Sequence, residues 1–168
     1  MTLRRAEREE AAAIRAVLVA AFPTPEEADL VDGLRADNDI LLEWVAEIDG
    51  EIVGVVHYSP LRLARPSGET LAAALGPLAV RPELQRQGLG ARLVEATLPL
   101  LRARGDLASV VVLGHPAYYP RFGFSADAAS TLIDPFDAGA AFMALQLTSD
   151  APAGRARPIY APAFGLPQ

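Results

Sequence analysis

The stretch that decides the fold is residues 76–91, which read GPLAVRPELQRQGLGA. It begins inside an uncharged, largely apolar run, residues 71–80, that predicts a central strand of a sheet. After a loop, two closely spaced glycines, Gly88 and Gly90, open a helix that is predicted to continue to about Arg104. The N-terminus of such a helix presents backbone N–H groups and the positive end of the helix dipole. The stretch therefore predicts a site for a pyrophosphate.

Three types of phosphate-binding loop compete for this pattern. A Walker A loop requires Gly-Lys-Ser/Thr, and the chain contains no lysine. A Rossmann fingerprint requires a third glycine, where Leu93 stands, and a first glycine directly after the strand, whereas seven residues separate Val80 from Gly88. The third type is the Gln/Arg-x-x-Gly-x-Gly/Ala loop of GNAT acetyltransferases, and residues 85–90, QRQGLG, resemble it at every defined position.

Further segments extend this resemblance over roughly residues 45–125. They are LAVRP at residues 78–82, YYPRFGF at residues 118–124 and the Asp49-Gly50 hairpin signal upstream. More specifically, the chain resembles a group of small bacterial N-acetyltransferases predicted from sequence, which share the GPLAV strand, the YYxRFGF segment and a tail like FMAL at residues 142–145 followed by YAPAF at residues 160–164. The resemblance implies a single domain over residues 1–168, with a motif core at 71–125 and a β tail at 126–168.

The hydrophobic pattern of the whole chain predicts an α/β (α+β) fold. In order it indicates a strand, two helices (residues 6–22 and from Pro25), a hairpin (residues 42–48 and 52–58), a loop (60–69), the strand 71–80, the glycine-led helix, a strand (109–113) and a tail with strands at 142–147 and 159–164. The second helix is expected to begin with a capping box of Thr24 and Glu27. The strand–helix–strand passage should be parallel and the hairpin antiparallel, which gives a mixed central sheet with helices on both faces.

Gly76-Pro77 breaks the rules for a central strand, because proline cannot donate to the ladder and glycine weakens it. The pair predicts a β-bulge that splays this strand from its parallel neighbour. GNAT proteins use such a gap for the pantetheine arm of acetyl-CoA.

The resemblance implies acetyl-CoA as the co-substrate and a set of donor-binding positions, which are Leu78, Ala79, Val80, Gln85, Arg86, Gln87, Gly88, Leu89, Gly90 and Ala91. Pro77 has no N–H, so residues 78–80 must supply the donor for the oxyanion. Tyr119 stands four residues before the Gly-Phe pair, where the family places its general acid; Tyr118 is its neighbour. A phenol with a pKa near 10 is protonated at neutral pH and able to donate. Arg81 and Arg92 are alternatives for the 3′-phosphate.

The general base stays open at this stage. Many GNAT enzymes carry a glutamate on the central strand, but residues 71–80 contain none. His57, at the end of a hairpin strand, is one candidate, and Glu27 is another. His115, next to Pro116, is expected to shape a turn. A chain of water molecules could also serve a weakly basic amine.

The composition narrows the function classes. The absence of cysteine removes disulfides, thiolate metal sites and a cysteine nucleophile, which favours direct transfer to the amine. The two histidines lie far apart in sequence, so no metal site is expected. A net charge of −6 with scattered arginines argues against nucleic acid and anionic membranes.

The remaining expectations concern location, assembly and alternatives. No apolar stretch approaches the roughly 20 residues that span a bilayer, and the acidic N-terminal segment is unlike a signal peptide, so the cytoplasm is the expected location. A monomer or a homodimer is expected. The predicted function is transfer of an acetyl group from acetyl-CoA to a primary amine. The alternatives are a noncatalytic CoA-binding sensor or interaction module and a small nucleotide-binding α/β domain.

Overall fold

A computed structural model describes residues 1–148 and 154–167. The strands are β1 Thr2–Arg5, β2 Leu42–Ile48, β3 Glu51–Arg65, β4 Gly68–Val80, β5 Ser109–Leu113, β6 Phe142–Gln146 and β7 Arg157–Tyr160. The α-helices are α1 Ala11–Ala21, α2 Glu26–Ala36 and α3 Leu89–Arg104. The loop expected before β7, at residues 151–158, lies partly outside the described residues.

The strands form one mixed sheet in the order β1-β2-β3-β4-β5-β6, and β7 pairs with the distal half of β3. Among the seven strands of the described residues, β4 and β5 form the one parallel pair, and they are connected through α3 as the sequence predicted. The other strand pairs are antiparallel. The mixed sheet and the assignment of β4 to its centre are therefore confirmed.

The β2–β3 hairpin is also confirmed. Ile48 pairs with Glu51, so Asp49 and Gly50 form a two-residue turn, and both have positive φ (51° and 82°). This is the backbone that an Asp-Gly dipeptide favours in a tight hairpin.

The loop predicted at residues 60–69 is wrong. β3 continues to Arg65 and β4 begins at Gly68, so the two strands form one long hairpin through this region. Leu61 and Leu63 are buried while Arg62 is exposed, which is the alternation of a half-buried strand. Three residues suggested a loop. Pro60 pairs opposite Ala73, Pro66 lies in the turn between the strands, and Gly68 pairs with Arg65 directly after it.

The helix starts differ from the sequence prediction. A 3₁₀ turn at Arg8–Glu10 precedes α1, and the capping box of this chain is formed there, between Glu7 and Glu10. The capping box predicted for Thr24 and Glu27 is wrong, because α2 begins after Pro25 without a side-chain cap. Glu27 is consequently free of a capping role. In contrast, α3 begins at Leu89 and ends at a left-handed Gly105, as predicted.

Helices cover both faces of the sheet, as predicted. On one face, Leu93 and Val94 of α3 pack against Val56 and Tyr58 of β3. On the other face, α1 and α2 pack against side chains that include Val55 and Ala79. The strand predicted at residues 159–164 is shorter, because Pro162 starts a 3₁₀ turn at Pro162–Phe164 after β7. Within the described ranges, no helix is long and apolar enough to cross a membrane.

The packing of the tyrosines predicts alkaline unfolding. Burial raises the pKa of Tyr58, Tyr119 and Tyr160 well above the usual value. In the unfolded chain these phenols ionise near pH 10, so their contribution to stability is complete below about pH 10 and is lost as the pH rises. Each should lower the free energy of unfolding by about 1.4 kcal/mol per pH unit above that point. Urea unfolding between about pH 9 and 11.5 measures the slope.

The slope reports on the tyrosines, because the chain has no lysine or cysteine side chain that would titrate in the same pH range. A Tyr58→Phe variant should reduce the pH dependence of the free energy of unfolding by about 1.4 kcal/mol per pH unit, the contribution of one buried tyrosine. A free energy of unfolding that stays flat across the interval would contradict the prediction.

Candidate active site

The bulge predicted at Gly76-Pro77 is present. On β3, Val56 lies opposite Leu78 and Tyr58 lies opposite Leu75, so Gly76 and Pro77 together face one residue, His57. On its other side, β4 pairs with β5 only as far as Leu75 opposite Val112. β4 then continues to Val80, whereas β5 ends at Leu113. The two parallel strands therefore diverge beyond the bulge and leave a slot.

The register of β3 and β4 determines which backbone groups face this slot. The N–H of Arg81 donates to the carbonyl of Val53 (2.9 Å). Bonded and non-bonded pairs alternate along an antiparallel ladder, so Ala79 is bonded to β3, whereas the N–H groups of Leu78 and Val80 point away from it. Of residues 78–80, which the sequence analysis named for an oxyanion donor, Leu78 and Val80 are therefore the two whose N–H groups face the slot. Leu78 lies directly after the bulge.

A cavity of about 930 Å³ occupies the slot. Its lining comes from the α1–α2 connection, the end of β4, the glycine loop, the first turn of α3, the end of β5 and the tyrosine segment. The members are Phe22, Glu27, Leu75, Gly76, Pro77, Leu78, Val80, Leu84, Gln85, Arg86, Gly88, Leu89, Gly90, Ala91, Leu113, Gly114, His115, Pro116, Tyr118, Tyr119, Arg121 and Ala141. Because Tyr119 belongs to the α3 face and Phe22 packs on the α1 face, the cavity connects the two faces of the sheet.

One end of the cavity is suited to an anion. Gly88 precedes α3 with a φ of 84°, which favours glycine. Arg92 is the first helical residue to bond back, to the carbonyl of Gly88 (3.0 Å), so the N–H groups of residues 89–91 have no partner within the helix. These groups and Arg86 lie on the same cavity. Backbone donors, the helix dipole and one guanidinium thus converge there.

The predicted donor-binding residues do not all line this cavity. Those that do are Leu78, Val80, Gln85, Arg86, Gly88, Leu89, Gly90 and Ala91. The side chain of Ala79 is buried on the α1 face. Gln87 faces a smaller cavity together with Arg92. Gln85 uses its side-chain amide to donate to the carbonyl of Val80 (2.9 Å), which fixes the loop to the end of β4.

The two tyrosines lie at different parts of the cavity. Tyr118 is half-buried, and its hydroxyl oxygen would be 3.1 Å from a Cβ placed on Gly90, at the start of α3. Tyr119 is buried, packs edge-on against Phe124 and lies against Gly114 at the end of β5. Burial raises the pKa of both phenols. The hydroxyl of Tyr119 makes no hydrogen bond to any residue in the two described ranges.

Gly114 is a site residue that the sequence analysis missed. A Cβ there would lie 2.1 Å from Cε2 of Tyr119, a distance that side chains do not tolerate. The ring therefore occupies the space that only a glycine leaves open. The signal in the sequence was a lone glycine directly after the buried strand 109–113, a place where close approach of another group is common.

The candidate bases occupy contrasting positions. His57 is fully buried, its Nε2 lies 2.7 Å from Oε1 of Glu43, and its Nδ1 lies 3.3 Å from the carbonyl oxygen of Pro77. It does not line the cavity, and both ring nitrogens are engaged, so the ring cannot reach an amine there. Glu27 does line the cavity, and its buried Oε2 has no hydrogen-bond partner among the described residues. His115 accepts, through its carbonyl, the N–H groups of Tyr118 and Tyr119 and shapes their turn.

The charges on the cavity wall are unevenly distributed. Among the described residues of the lining, Glu27 is the one acid, and Arg86 and Arg121 are the arginines. Arg81, one of the alternatives for a phosphate contact, is instead paired with Glu51 (2.9 Å). No cluster of three metal-ligating side chains occurs in residues 1–148 and 154–167.

Comparison with known proteins identifies the family. The family model described as an acetyltransferase (GNAT) domain matches residues 2–126. The uncharacterized N-acetyltransferase YjhQ of Escherichia coli K12 is 38% identical over 120 residues, which are 70% of this chain and 66%, just under two thirds, of YjhQ. The uncharacterized N-acetyltransferase YhbS of the same strain is 41% identical over 117 residues, 68% of each protein.

Two solved structures match nearly the whole chain. The GNAT family N-acetyltransferase YhbS from Escherichia coli, in complex with CoA, has a TM-score of 0.85 and 32% identity, covering 98% of this chain and 91% of that one. A GNAT family acetyltransferase from Brucella melitensis, in complex with acetyl-CoA, has a TM-score of 0.80 and 32% identity, covering 97% of each chain. On its family match, its relatives and its fold, the chain belongs to the GNAT family of N-acetyltransferases.

Proposed function

We propose that this protein transfers the acetyl group of acetyl-CoA to a primary amine by direct attack of the amine on the thioester. One observation carries the proposal: the slot beyond the bulge has an outward-facing backbone N–H at Leu78 and leads to the unpaired N–H groups at the start of α3. The cavity volume, about 930 Å³, lies within the usual range of about 300–1,000 Å³ for small-molecule sites. The bound CoA and acetyl-CoA in the two solved relatives support the same donor.

In this proposal the backbone binds the donor at both ends. The N–H groups of residues 89–91 and the guanidinium of Arg86 hold the pyrophosphate. The N–H of Leu78 stabilises the negative charge that develops on the carbonyl oxygen as the C–N bond forms. Gly88 and Gly90 leave room for the phosphates, since neither adds a side chain to that wall.

Tyr119 donates the proton that the departing thiolate needs when the C–S bond breaks, and its phenolate takes up the second proton that the attacking nitrogen loses as the amide forms. Tyr119 lines the cavity, and burial raises its pKa, so the phenol stays protonated throughout the physiological range. Because the chain has no cysteine, the acetyl group passes to the amine without a cysteinyl acyl-enzyme.

Glu27 receives the amine. A buried carboxylate oxygen without a partner is costly, and an ammonium group from the acceptor would satisfy it. Glu27 lies on the α1–α2 side of the cavity, so the acceptor enters from the face opposite α3. The acceptor class is therefore a cationic amine, which Glu27 holds and from which it takes a proton before attack.

Thermal unfolding with acetyl-CoA, CoA, ATP and NAD tests the donor assignment. Ligand at about 100 times its dissociation constant adds roughly 2.7 kcal/mol, a shift in Tm of about 5–10 °C for a domain of this size. We expect the shift with acetyl-CoA and CoA alone. A thiol reagent then measures turnover with spermidine, kanamycin, free amino acids and an unblocked peptide, with no protein background because the chain lacks cysteine. Donor binding without thiol release on a broad panel would favour the noncatalytic module.

A Glu27→Gln variant is expected to lower kcat/KM for the active amine by about 100-fold, because both the ammonium contact and the proton acceptor are lost. The dissociation constant of acetyl-CoA should not change. Glu26→Gln is the matched control, since Glu26 is the preceding residue, is exposed and does not line the cavity. Equal losses in the two variants would show that the acceptor does not contact Glu27.

The proposed setting is the cytoplasm, where acetyl-CoA is available to an enzyme that consumes it. The proposed assembly is a monomer or a homodimer. Sedimentation velocity measures which of the two forms is present.

A further inference from the structure

A buried chain of polar groups crosses the sheet beneath α2 and ends at the bulge. Arg35 of α2 donates to Oε1 of Glu43 on β2 (2.6 Å), and the same oxygen lies 2.7 Å from Nε2 of His57 on β3. Nδ1 of His57 lies 3.3 Å from the carbonyl oxygen of Pro77 on β4. His57 has no exposed surface, and the side chain of Glu43 is 11% exposed. Three neighbouring strands and one helix are thus linked through one imidazole ring.

The partners of this ring determine which of its nitrogens carry hydrogen. The carbonyl of Pro77 can only accept a hydrogen bond, so Nδ1 must be the donor. The carboxylate of Glu43, itself paired with Arg35, holds Nε2 on the other side of the ring. The Nδ1–H of His57 is thereby aimed at the backbone of the bulge.

The bond from Nδ1 acts on the peptide group that joins Pro77 to Leu78. In a trans peptide the C=O and the N–H point in opposite directions. The C=O of this group faces His57, and the N–H of Leu78 faces the slot. A hydrogen bond to the carbonyl fixes the orientation of the whole plane and polarises it, which strengthens the N–H on the other side as a donor.

We propose that His57 is a positioning residue for acetyl transfer: it holds and polarises the Pro77–Leu78 peptide so that the N–H of Leu78 is directed at the thioester carbonyl. The proposal rests on the proposed function, because it needs an acetyl group in the slot. Glu43 and Arg35 keep the ring in place. His57 itself touches neither the acetyl group nor the amine.

Two variants separate this role from a merely structural one. In His57→Asn the side-chain amide lies near the position of Nδ1, so the bond to Pro77 is kept and the contact with Glu43 is lost. In His57→Gln the amide lies near the position of Nε2, so the contact with Glu43 is kept and the bond to Pro77 is lost. The readout is the carbonyl stretch of bound [1-¹³C]acetyl-CoA, measured by isotope-edited infrared spectroscopy, which needs no acceptor amine.

We expect the carbonyl band of the wild type and of His57→Asn to lie below that of free acetyl-CoA, and the band of His57→Gln to return toward the free value. In turnover with an active amine, kcat should fall on the order of 10-fold or more in His57→Gln alone, since loss of a complete oxyanion donor costs about 100- to 1,000-fold. A His57→Gln band equal to that of the wild type overturns the proposal. The proposal is also overturned if both variants lose the shift of the carbonyl band in proportion to the fall in their melting temperatures.

A measurement on the unmodified protein keeps the proposal testable if a variant does not fold. The chain has two histidines, so ¹⁵N-histidine labelling with a His115→Gln variant assigns both rings. We expect Nδ1 of His57 to carry hydrogen in the folded protein, and an Nδ1 without hydrogen overturns the proposal. If the proposed function is wrong, the result is different: the wild type does not bind acetyl-CoA, although the ring signals of His57 remain as described.

Discussion

Replacing Gly114 with alanine is expected to lower kcat about 100-fold and to cost about 1–3 kcal/mol of stability. The new Cβ would lie 2.1 Å from Cε2 and 2.6 Å from Cδ2 of Tyr119. The backbone at this position cannot easily retreat, because the N–H of Gly114 donates to the carbonyl of Ala141 (2.9 Å). The ring of Tyr119 must therefore move, and its hydroxyl moves with it.

Thermal unfolding and steady-state kinetics on the same preparation separate the two effects. Gly165→Ala is the matched control: its φ of 66° makes alanine unfavourable, but no atom lies within 4 Å of the added Cβ. We expect it to lose stability and to retain kcat. Because Gly114 acts through Tyr119, the double variant Gly114→Ala/Tyr119→Phe should be no slower than Tyr119→Phe alone. Additive losses would show that Gly114 serves the reaction by another route.

Features encoded by neighbouring residues could be predicted from the sequence. The Asp49-Gly50 turn, the bulge at Gly76-Pro77 and the start of α3 after Gly88 each depend on backbone conformations that one or two residues specify. Their order along the chain then implied the parallel β4–β5 pair. These local signals were sufficient for the part of the fold that forms the slot.

One error occurred where a distant contact outweighs local preference. Pro60 suggested a loop, but β7 pairs with the following residues of β3 and keeps that segment in the sheet. This deciding partner is far away in the sequence, and no spacing rule identifies it. Thr24 and Glu27 matched a capping box, yet the helix begins one residue later and Glu27 faces the cavity.

The candidate site likewise contains one part that the sequence predicts and one part that it does not. Residues 85–91 could be assigned from one continuous motif, because the anion site is made by consecutive backbone groups. From the sequence, His57 is a candidate base because it is a titratable residue at the end of a strand. Its burial between Glu43 and Pro77 depends on three separate segments meeting, so its relation to the bulge could not be inferred from sequence.

Tyr119→Phe is expected to lower kcat by about 100- to 10,000-fold, the range for loss of a general acid. The variant removes one oxygen that has no hydrogen-bond partner in the described parts of the chain, so its fold should be nearly as stable as the wild type. Burial raises the pKa of Tyr119, so the acid form persists as the pH rises. The wild type should therefore show no decline in kcat from this group up to at least about pH 10, the usual pKa of a phenol.

Tyr118→Phe discriminates between the neighbouring phenols. The hydroxyl of Tyr118 lies by Gly90 at the phosphate end, and Arg121 covers its ring at 4.6 Å. We expect this variant to change the KM for acetyl-CoA and to leave kcat within a few-fold, because the hydroxyl lies against Gly90 in the first turn of α3, whereas the ring of Tyr119 lies against Gly114 at the end of β5. Full activity of Tyr119→Phe at saturating substrates, together with a large loss of kcat in Tyr118→Phe, would transfer the acid role to Tyr118. Rate-limiting product release is distinguished by a pre-steady-state burst of free thiol, which Tyr119→Phe should abolish because its chemical step becomes the slow one.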